Sequence, residues 1–194
     1  FDIITPEASR SFVTAITAVV GPEWTRDAPD DLIAYGTDAL KKGHPADLVV
    51  IPADTREISE IATLCTGHGV PLVVRGAGTG YTGGAVPTRG GVVLSLERPN
   101  RILEIDEQNL LAVVEPNVVT GDLQDAVERL GLFYPPDPAS LRTSVIGGNV
   151  AEGAGGPRAF KYGTTKRYVL GLEAVLPTGE VVTTGSKTVK NVVG

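Results

Sequence analysis

Apolar residues near the start of the chain recur at the spacing of a helix. Phe12, Ile16 and the pair Val19–Val20 repeat every three to four residues and stop at Gly21-Pro22. Thr5-Pro6 before them offers a hydroxyl cap and a proline suited to a first helical turn. The pattern predicts a helix between these two signals. A second, short helix is expected over residues 30–35.

The following segment changes from strand to helix and back to strand. Apolar runs at 48–51 and 71–75 predict two buried strands. Between them, Asp54 and Glu57 form a capping box, and the helix behind it is expected to end near the glycines at 67 and 69. Strand, helix and strand with short connections indicate a right-handed βαβ unit.

The second half of the chain is predicted to be rich in β-structure. After a strand at 92–96, the expected elements are a hairpin of 102–105 and 110–115, a helix from Thr120 to Gly131, and a hairpin of 168–176 and 180–184. The sequence therefore predicts an α+β fold of two lobes. The N-terminal lobe covers residues 1–98, and the β-rich second lobe covers residues 99–194.

Composition excludes several classes of protein. With 42% hydrophobic and 21% charged residues, the chain is expected to be globular, and no apolar run reaches the roughly 18 residues of a membrane span. A net charge of −6 without a basic cluster argues against a nucleic-acid surface. The single cysteine excludes an internal disulfide and fits a reducing compartment. The two histidines, His44 and His68, lie too far apart in sequence to suggest a metal site.

Glycine is concentrated in two segments. Of the 24 glycines, thirteen lie within residues 76–91 and 147–163. Glycine clusters of this kind mark backbone that adopts positive φ or comes close to something else.

The first of these segments follows a predicted strand and contains the pattern G-x-G-x-x-G at residues 78–83. A dinucleotide fingerprint must open into a helix, but Gly84, Pro87 and Gly90-Gly91 leave no room for one before the next strand. Consecutive amides in such a loop can instead form an anion-binding nest without a helix dipole. The alternative is a plain glycine-rich turn.

Residues 179–188 are not a P-loop, because the spacing of their residues does not match that motif.

The second segment, from Asp137 to Gly156, combines hydroxyl side chains, two Gly-Gly pairs and one amide side chain. This composition suits a flat, extended polar ligand that is contacted by backbone and short side chains. One ligand larger than a mononucleotide could contact both segments. The alternative is two unrelated loops.

Seven motifs occur in order along nearly the whole chain: Tyr35–Ala39, Val73–Pro87, 137–140, 146–149, 154–156, 161–163 and 187–194. Together they resemble the FAD-linked oxidases of the vanillyl-alcohol oxidase and p-cresol methylhydroxylase type. Within that family, the resemblance is strongest to the glycolate oxidase D subunit and bacterial D-lactate dehydrogenases. The resemblance implies a PCMH-type FAD-binding domain with FAD stretched between two α+β lobes.

The resemblance also implies which residues hold FAD. Backbone amides would wrap the diphosphate at Arg75, Gly76, Ala77, Gly78, Thr79, Gly80 and Tyr81, with Gly84 and Ala85 close by. The isoalloxazine and ribityl side would be lined by Pro138, Ser140, Thr143, Ser144, Gly148, Asn149 and Ala151. The remainder of the cofactor would lie near Gly155, Gly156, Tyr162 and Gly163.

Two departures from the family pattern matter. Some relatives carry a flavin-linked histidine in the first loop, whereas residues 78–81 here are Gly-Thr-Gly-Tyr, so the FAD is expected to be non-covalent. Close relatives usually have Asn at the position of Gly153, so no side-chain contact is expected there.

The implied chemistry is oxidation of a small 2-hydroxy acid, with hydride passing from the α-carbon to flavin N5 while a base takes the hydroxyl proton. No catalytic residue and no metal ligand is expected within this chain. They would belong to a substrate domain beyond Gly194, because the chain is expected to be the N-terminal portion of a longer protein. Asp137, flanked by prolines, is expected to fix its loop rather than act as a base.

The expected setting is the cytoplasm or the inner face of the membrane, with partner subunits of an oxidase complex, no nucleic acid and no membrane insertion. Two other functions stay open. One is an enzyme of the same superfamily that acts on a larger substrate, such as D-2-hydroxyglutarate or another alcohol. The other is a non-catalytic nucleotide-binding module in a multi-subunit complex.

Overall fold

The computed structural model describes residues 6–187, which form two compact units. The first unit contains the described residues up to Arg98 together with Ala174–Val182. The second unit contains Pro99–Glu173 and resumes at Thr183. The expected helix cap at Thr5 lies outside the described residues.

Helices alternate with short strands in the first unit. Its elements are α1 (Pro6–Val20), β1 (Thr25–Arg26), α2 (Pro29–Tyr35), β2 (Leu48–Val50), α3 (Thr55–His68), β3 (Leu72–Arg75) and β4 (Val92–Ser95). The predicted helices and strands are all present within a few residues of their expected ends. The two-residue strand β1 was not predicted, because it is too short to show a period.

These four strands form one sheet in the order β1-β2-β4-β3. β2 and β3 both run parallel to β4 and pair with it, with Val49 and Val73 each opposite Val93. The predicted βαβ unit is therefore present, but its two strands do not pair with each other. β4 lies between β2 and β3, and its residues Val92, Val93 and Leu94 are fully buried, as expected for a parallel strand that is covered on both faces.

Alternate residues of the central strands supply two cores. Leu48 and Val50 pack with Phe12, Ile61 and Cys65 on the face covered by α1 and α3. On the opposite face, a smaller cluster is built from Ala46, Val49, Ile51 and Val93, with Trp24 and Leu32 against it. Burial raises the pKa of the Cys65 thiol to about 12, so this cysteine is an inert core residue, as expected.

Both ends of α3 follow the sequence signals. The Asp54 side chain accepts a hydrogen bond from the Glu57 amide at 2.9 Å. The Glu57 carboxylate accepts from the Ala53 amide at 2.7 Å, one residue before the position that a capping box usually uses. Gly69 closes the helix in the left-handed conformation with φ 65°. The predicted start and end of α3 are thus confirmed.

Hairpins and short helices make up the second unit. Its elements are β5 (Ile102–Asp106), β6 (Leu111–Val114), α4 (Thr120–Glu128), α5 (Ile146–Glu152) and α6 (Ala159–Tyr162). The strands β7 (Gly171–Val175) and β8 (Val181–Gly185) lie partly in this unit, because their residues next to the connecting turn belong to the first unit. β5 pairs with β6, and β7 pairs with β8. The core is formed by Val118, Leu123, Val127 and Ile146. Both predicted hairpins and α4 are present. Two helices were missed, α5 because Gly147 and Gly148 lie in its first turn and α6 because four residues are too few to show a helical period.

The turn between β7 and β8 packs against α3. Three hydroxyls on one face of this helix, from Ser59, Thr63 and Thr66, donate to the carbonyl groups of Gly179, Thr178 and Pro177 respectively. Ala174–Val182 therefore belongs to the first unit, although its position in the sequence grouped it with the second lobe.

Within residues 6–187, no helix is both long and apolar enough to cross a membrane.

Candidate functional site

The glycine loop, residues 76–91, connects β3 to β4 and contains no helix. This confirms that G-x-G-x-x-G here is not a Rossmann fingerprint. Within the described part of the chain, no backbone N–H of residues 76–81 donates to a backbone carbonyl, whereas the Val86 amide already donates to Gly83. We call residues 76–81 the amide run. It offers successive donors of the kind that bind an anion.

Arg75 is the last residue of β3, and its side chain contacts protein on two sides. Its Nη1 donates to the carbonyl oxygen of Thr37 at 2.6 Å. The same guanidinium lies against Gly78, where a Cβ atom would stand 2.5 Å from Cζ and 2.6 Å from Nη1. Gly78 has φ 66°, the left-handed region that favours glycine. The left-handed backbone therefore favours glycine at this position, and a side chain there would have to displace the Arg75 guanidinium.

A second contact joins the glycine loop to the segment Tyr35–Ala39. The Ala39 amide donates to the carbonyl oxygen of Gly80 at 3.3 Å. The segment itself is held in place, since the His44 amide donates to Gly36 at 3.1 Å and the Asp38 carboxylate accepts from the Leu40 amide at 2.9 Å. The sequence pointed to this segment only through the family resemblance and assigned it no role.

Ionisable groups surround Arg75. Burial lowers the pKa of the Arg75 guanidinium, and the nearby Tyr35, Glu97 and Asp38 oppose that effect. Burial and a hydrogen bond to Glu97 raise the pKa of Tyr35 to about 12. Carboxylates of the first unit thus lie near Arg75, but their effect on its pKa is smaller than that of burial.

A buried polar network organises the second predicted segment. The side-chain amide nitrogen of Asn149, Nδ2, donates to Thr120 Oγ1 at 2.5 Å. Thr120 Oγ1 lies 3.0 Å from the Ser144 carbonyl oxygen and 3.2 Å from Ser144 Oγ. All three side chains are at least 97% buried. Ser144 and Asn149 were predicted to line the cofactor, and here their side chains hold their own segment together. Thr120 was predicted only as a helix cap.

The other predicted residues of this segment are more accessible. Thr143 is exposed and its hydroxyl donates to the Ser140 carbonyl oxygen at 3.1 Å, while Ala151 is exposed on α5. Pro138, Ser140 and Gly148 are half-buried. These residues leave backbone and small side chains at the surface of the second unit.

The last predicted group lies around Asp137. A Cβ atom on Gly156 would collide with the Asp137 backbone, and the Asp137 carboxylate accepts from the Arg158 amide at 3.0 Å. It also pairs with the Arg158 side chain at 3.4 Å, so Asp137 fixes its loop, as predicted. Gly155 and Gly163 are half-buried, and the Tyr162 carbonyl accepts from the Tyr168 hydroxyl at 2.8 Å.

Among residues 6–187, no three or more His, Cys, Asp or Glu side chains are grouped as metal ligands. The geometry instead fits a ligand with a diphosphate. Gly76, Gly78 and Gly80 carry no side chain that would keep a ligand away from the backbone donors of the amide run. An FAD molecule is compatible with this set of groups.

Comparison with known families gives a match over most of the chain. The profile of the FAD binding domain family matches residues 46–185. The glycolate oxidase subunit GlcD of Bacillus subtilis is 50% identical over 177 residues, which are 91% of this chain and 38% of that protein. The D-lactate dehydrogenase of Anaerostipes hadrus is 38% identical over 96% of this chain and 38% of that protein.

Solved structures show the same architecture. p-Cresol methylhydroxylase with bound substrate superposes with a TM-score of 0.80 and 26% identity, over 94% of this chain and 36% of that chain. The 4-ethylphenol oxidase of Gulosibacter chungangensis gives a TM-score of 0.78 and 29% identity, over 94% of this chain and 36% of that chain. The predicted α+β fold of the p-cresol methylhydroxylase type is confirmed. The chain spans less than two fifths of the length of these proteins.

Proposed function

Because the chain belongs to the family of FAD-binding domains, we propose that it is the flavin-binding part of an enzyme that oxidises a small 2-hydroxy acid. The glycolate oxidase subunit and the D-lactate dehydrogenase support this substrate class, since both are named for such acids. Bound FAD supplies the hydride-accepting chemistry of such an oxidation.

The amide run is the observation that carries the proposal. Its N–H groups have no backbone acceptor in residues 6–187, and a diphosphate with two negative charges satisfies several of them at once. Glycine at 76, 78 and 80 allows the phosphate oxygens to approach the backbone itself. The role of this chain is therefore to bind and orient the cofactor through its main chain.

We assign the rest of the cofactor to the second unit. The accessible groups there are Pro138, Ser140, Thr143, Gly148 and Ala151, followed by Gly155, Gly156, Tyr162 and Gly163. Ser144 and Asn149 act from behind them, because their buried side chains hold this surface in shape.

We place the catalytic base and the groups that bind the substrate carboxylate outside these residues, in the remainder of a longer protein. Asp137, which directly precedes the predicted flavin segment, is already engaged by Arg158. The FAD is held non-covalently in this proposal, since the glycine loop contains no histidine.

The partner subunits and the location in the cell are also part of the proposal. GlcD is named as a subunit, which supports assembly with partner subunits. The single buried cysteine supports a reducing compartment, so we place the protein in the cytoplasm or at the inner face of the membrane.

A second candidate acts on a larger acid. A D-2-hydroxyglutarate dehydrogenase of Stutzerimonas stutzeri is 36% identical over 95% of this chain and 40% of that protein. Assays of the full-length protein with glycolate, D-lactate and D-2-hydroxyglutarate and an artificial electron acceptor distinguish the two. The 194-residue chain alone is expected to turn over none of them, and robust activity from it would overturn the placement of the base.

Flavin binding itself is tested on the purified chain. We expect flavin absorbance bands and one FAD per chain, and their absence would favour a non-catalytic module without flavin. Gly80→Val should weaken FAD binding at least about a hundredfold, because a branched side chain blocks approach to the amide run. The matched control is Gly67→Val, in the last turn of α3, where a Cβ meets no atom within 4 Å. Stoichiometric FAD in Gly80→Val would contradict the proposed cradle.

A further inference from the structure

Arg75 connects the glycine loop to a separate segment of the first unit. We propose that Arg75 is a positioning residue whose guanidinium holds the amide run in the shape that receives a diphosphate, without binding the diphosphate itself. This inference rests on the proposed function for its ligand, but the contacts that carry it are independent of any ligand.

The first argument is the contact with Gly78. The guanidinium occupies the place that a side chain at Gly78 would take, with Nη1 and Cζ 2.6 and 2.5 Å from the position of a Cβ. Such a close approach of a planar cation to a main chain in the left-handed conformation is possible only at glycine. The loop therefore turns directly against the Arg75 side chain.

The second argument concerns what the guanidinium already binds. Nη1 donates to the Thr37 carbonyl oxygen at 2.6 Å, and Cζ lies 5.9 Å from the centre of the Tyr35 ring. Asp38 and Glu97 lie near enough to stabilise its charge. Arginines that bind phosphate present their fork to the ligand. Arg75 instead donates from Nη1 to a carbonyl group of the protein.

The third argument is the second anchor. The Gly80 carbonyl accepts from the Ala39 amide at 3.3 Å, so the Tyr35–Ala39 segment holds the loop at Gly80 as well as through Arg75. A backbone held at Gly78 and Gly80 has little freedom to redirect the N–H groups around Thr79. Donors that are fixed before a ligand arrives bind it with less loss of entropy.

We call the contacts of the Arg75 guanidinium with Thr37 and Gly78 the brace. A double-mutant cycle on the 194-residue chain tests it. Arg75→Met keeps an apolar stem and removes the guanidinium. Gly78→Ala adds the Cβ that collides with it. The control is Gly83→Ala, which has the same left-handed strain at φ 80° but meets no atom within 4 Å. For each variant, FAD dissociation constants come from flavin fluorescence, and urea midpoints are measured without FAD.

We expect Gly78→Ala to weaken FAD binding at least about a hundredfold when Arg75 is present. In the Arg75→Met chain, the same change should cost only the left-handed strain, about tenfold or less. Gly83→Ala should cost the same in both. The urea midpoints without FAD should show the same pattern, with a larger shift for Gly78→Ala when Arg75 is present.

Equal costs of Gly78→Ala in the two backgrounds would overturn the proposal. So would an Arg75→Met chain without a cooperative unfolding transition, because the brace acts on a loop and not on the core. A different result would make Arg75 a phosphate ligand instead. In that result, Arg75→Met weakens FAD binding strongly, while the effects of Arg75→Met and Gly78→Ala on the urea midpoint simply add. If no variant and no wild-type chain binds FAD, the proposed function fails, while the urea cycle still decides whether the brace exists.

Discussion

Glycine has two distinct uses among the residues of the candidate site. At Gly78 and Gly156, the backbone has positive φ, and a side chain would in addition collide with the Arg75 guanidinium or with the Asp137 backbone. At Gly83 and Gly153, the direction of a Cβ is open, and the left-handed backbone alone favours glycine. The glycine content of the sequence located both glycine-rich segments. It could not show which glycines are needed for packing, because packing depends on atoms distant in sequence.

Thr120 illustrates a buried polar residue whose importance depends on its partners. Thr120→Val keeps the shape of the side chain but leaves the side-chain amide of Asn149 without its acceptor. We expect a loss of about 2 kcal/mol in the free energy of unfolding, measured by urea titration. The control is Thr143→Val, which removes an exposed hydroxyl from the same unit and should change stability by less than about 0.5 kcal/mol. Equal effects for the two variants would contradict the importance of the network.

Helices and strands of the first unit follow from local signals, but their arrangement does not. Asp54, Glu57 and Gly69 marked α3 correctly, because caps act within a few residues. The central place of β4 and the packing of the β7–β8 turn on α3 were not predicted, since each joins segments far apart in the chain. The sequence thus predicts where the helices and strands lie in the chain, but not how they are arranged in the fold.

The turn at Gly179 provides a test of that packing. Gly179 has φ 88°, and a Cβ there would collide with Thr63 Oγ1 and stand 2.7 Å from the Ser59 carbonyl oxygen. We expect Gly179→Ala to destabilise the chain by about 3 kcal/mol, the sum of left-handed strain and overpacking. Gly131→Ala, with φ 74° and no atom within 4 Å, isolates the strain and should cost about 1 kcal/mol. Similar urea midpoints for the two variants would show that the turn does not pack on α3.

For the whole molecule, FAD binding adds a source of stability beyond the cores of the two units. Each unit has its own apolar cluster, and the predicted cofactor residues occur in both. A ligand that binds only the folded chain stabilises it in proportion to its concentration over its dissociation constant.

FAD at a hundred times its dissociation constant is therefore expected to raise the free energy of unfolding by about 2.7 kcal/mol, measured by urea titration. Riboflavin at the same concentration is the control. It should have a much smaller effect, because it has no diphosphate for the amide run.

Acid precipitation of the FAD-loaded chain should release all of the flavin. Flavin that stays in the pellet would contradict non-covalent binding.

The sequence by itself determined the elements with strong local signals, the position of the glycine loop and the absence of a Rossmann helix after it. These features depend on residues within one or two turns of each other. The family resemblance added the cofactor. Only the tertiary structure decided that Arg75 and Ala39 anchor the loop, that Thr120 joins Ser144 and Asn149, and that β4 lies between β2 and β3. Such contacts depend on how the chain folds back on itself, and periodicity along the sequence carries no record of them.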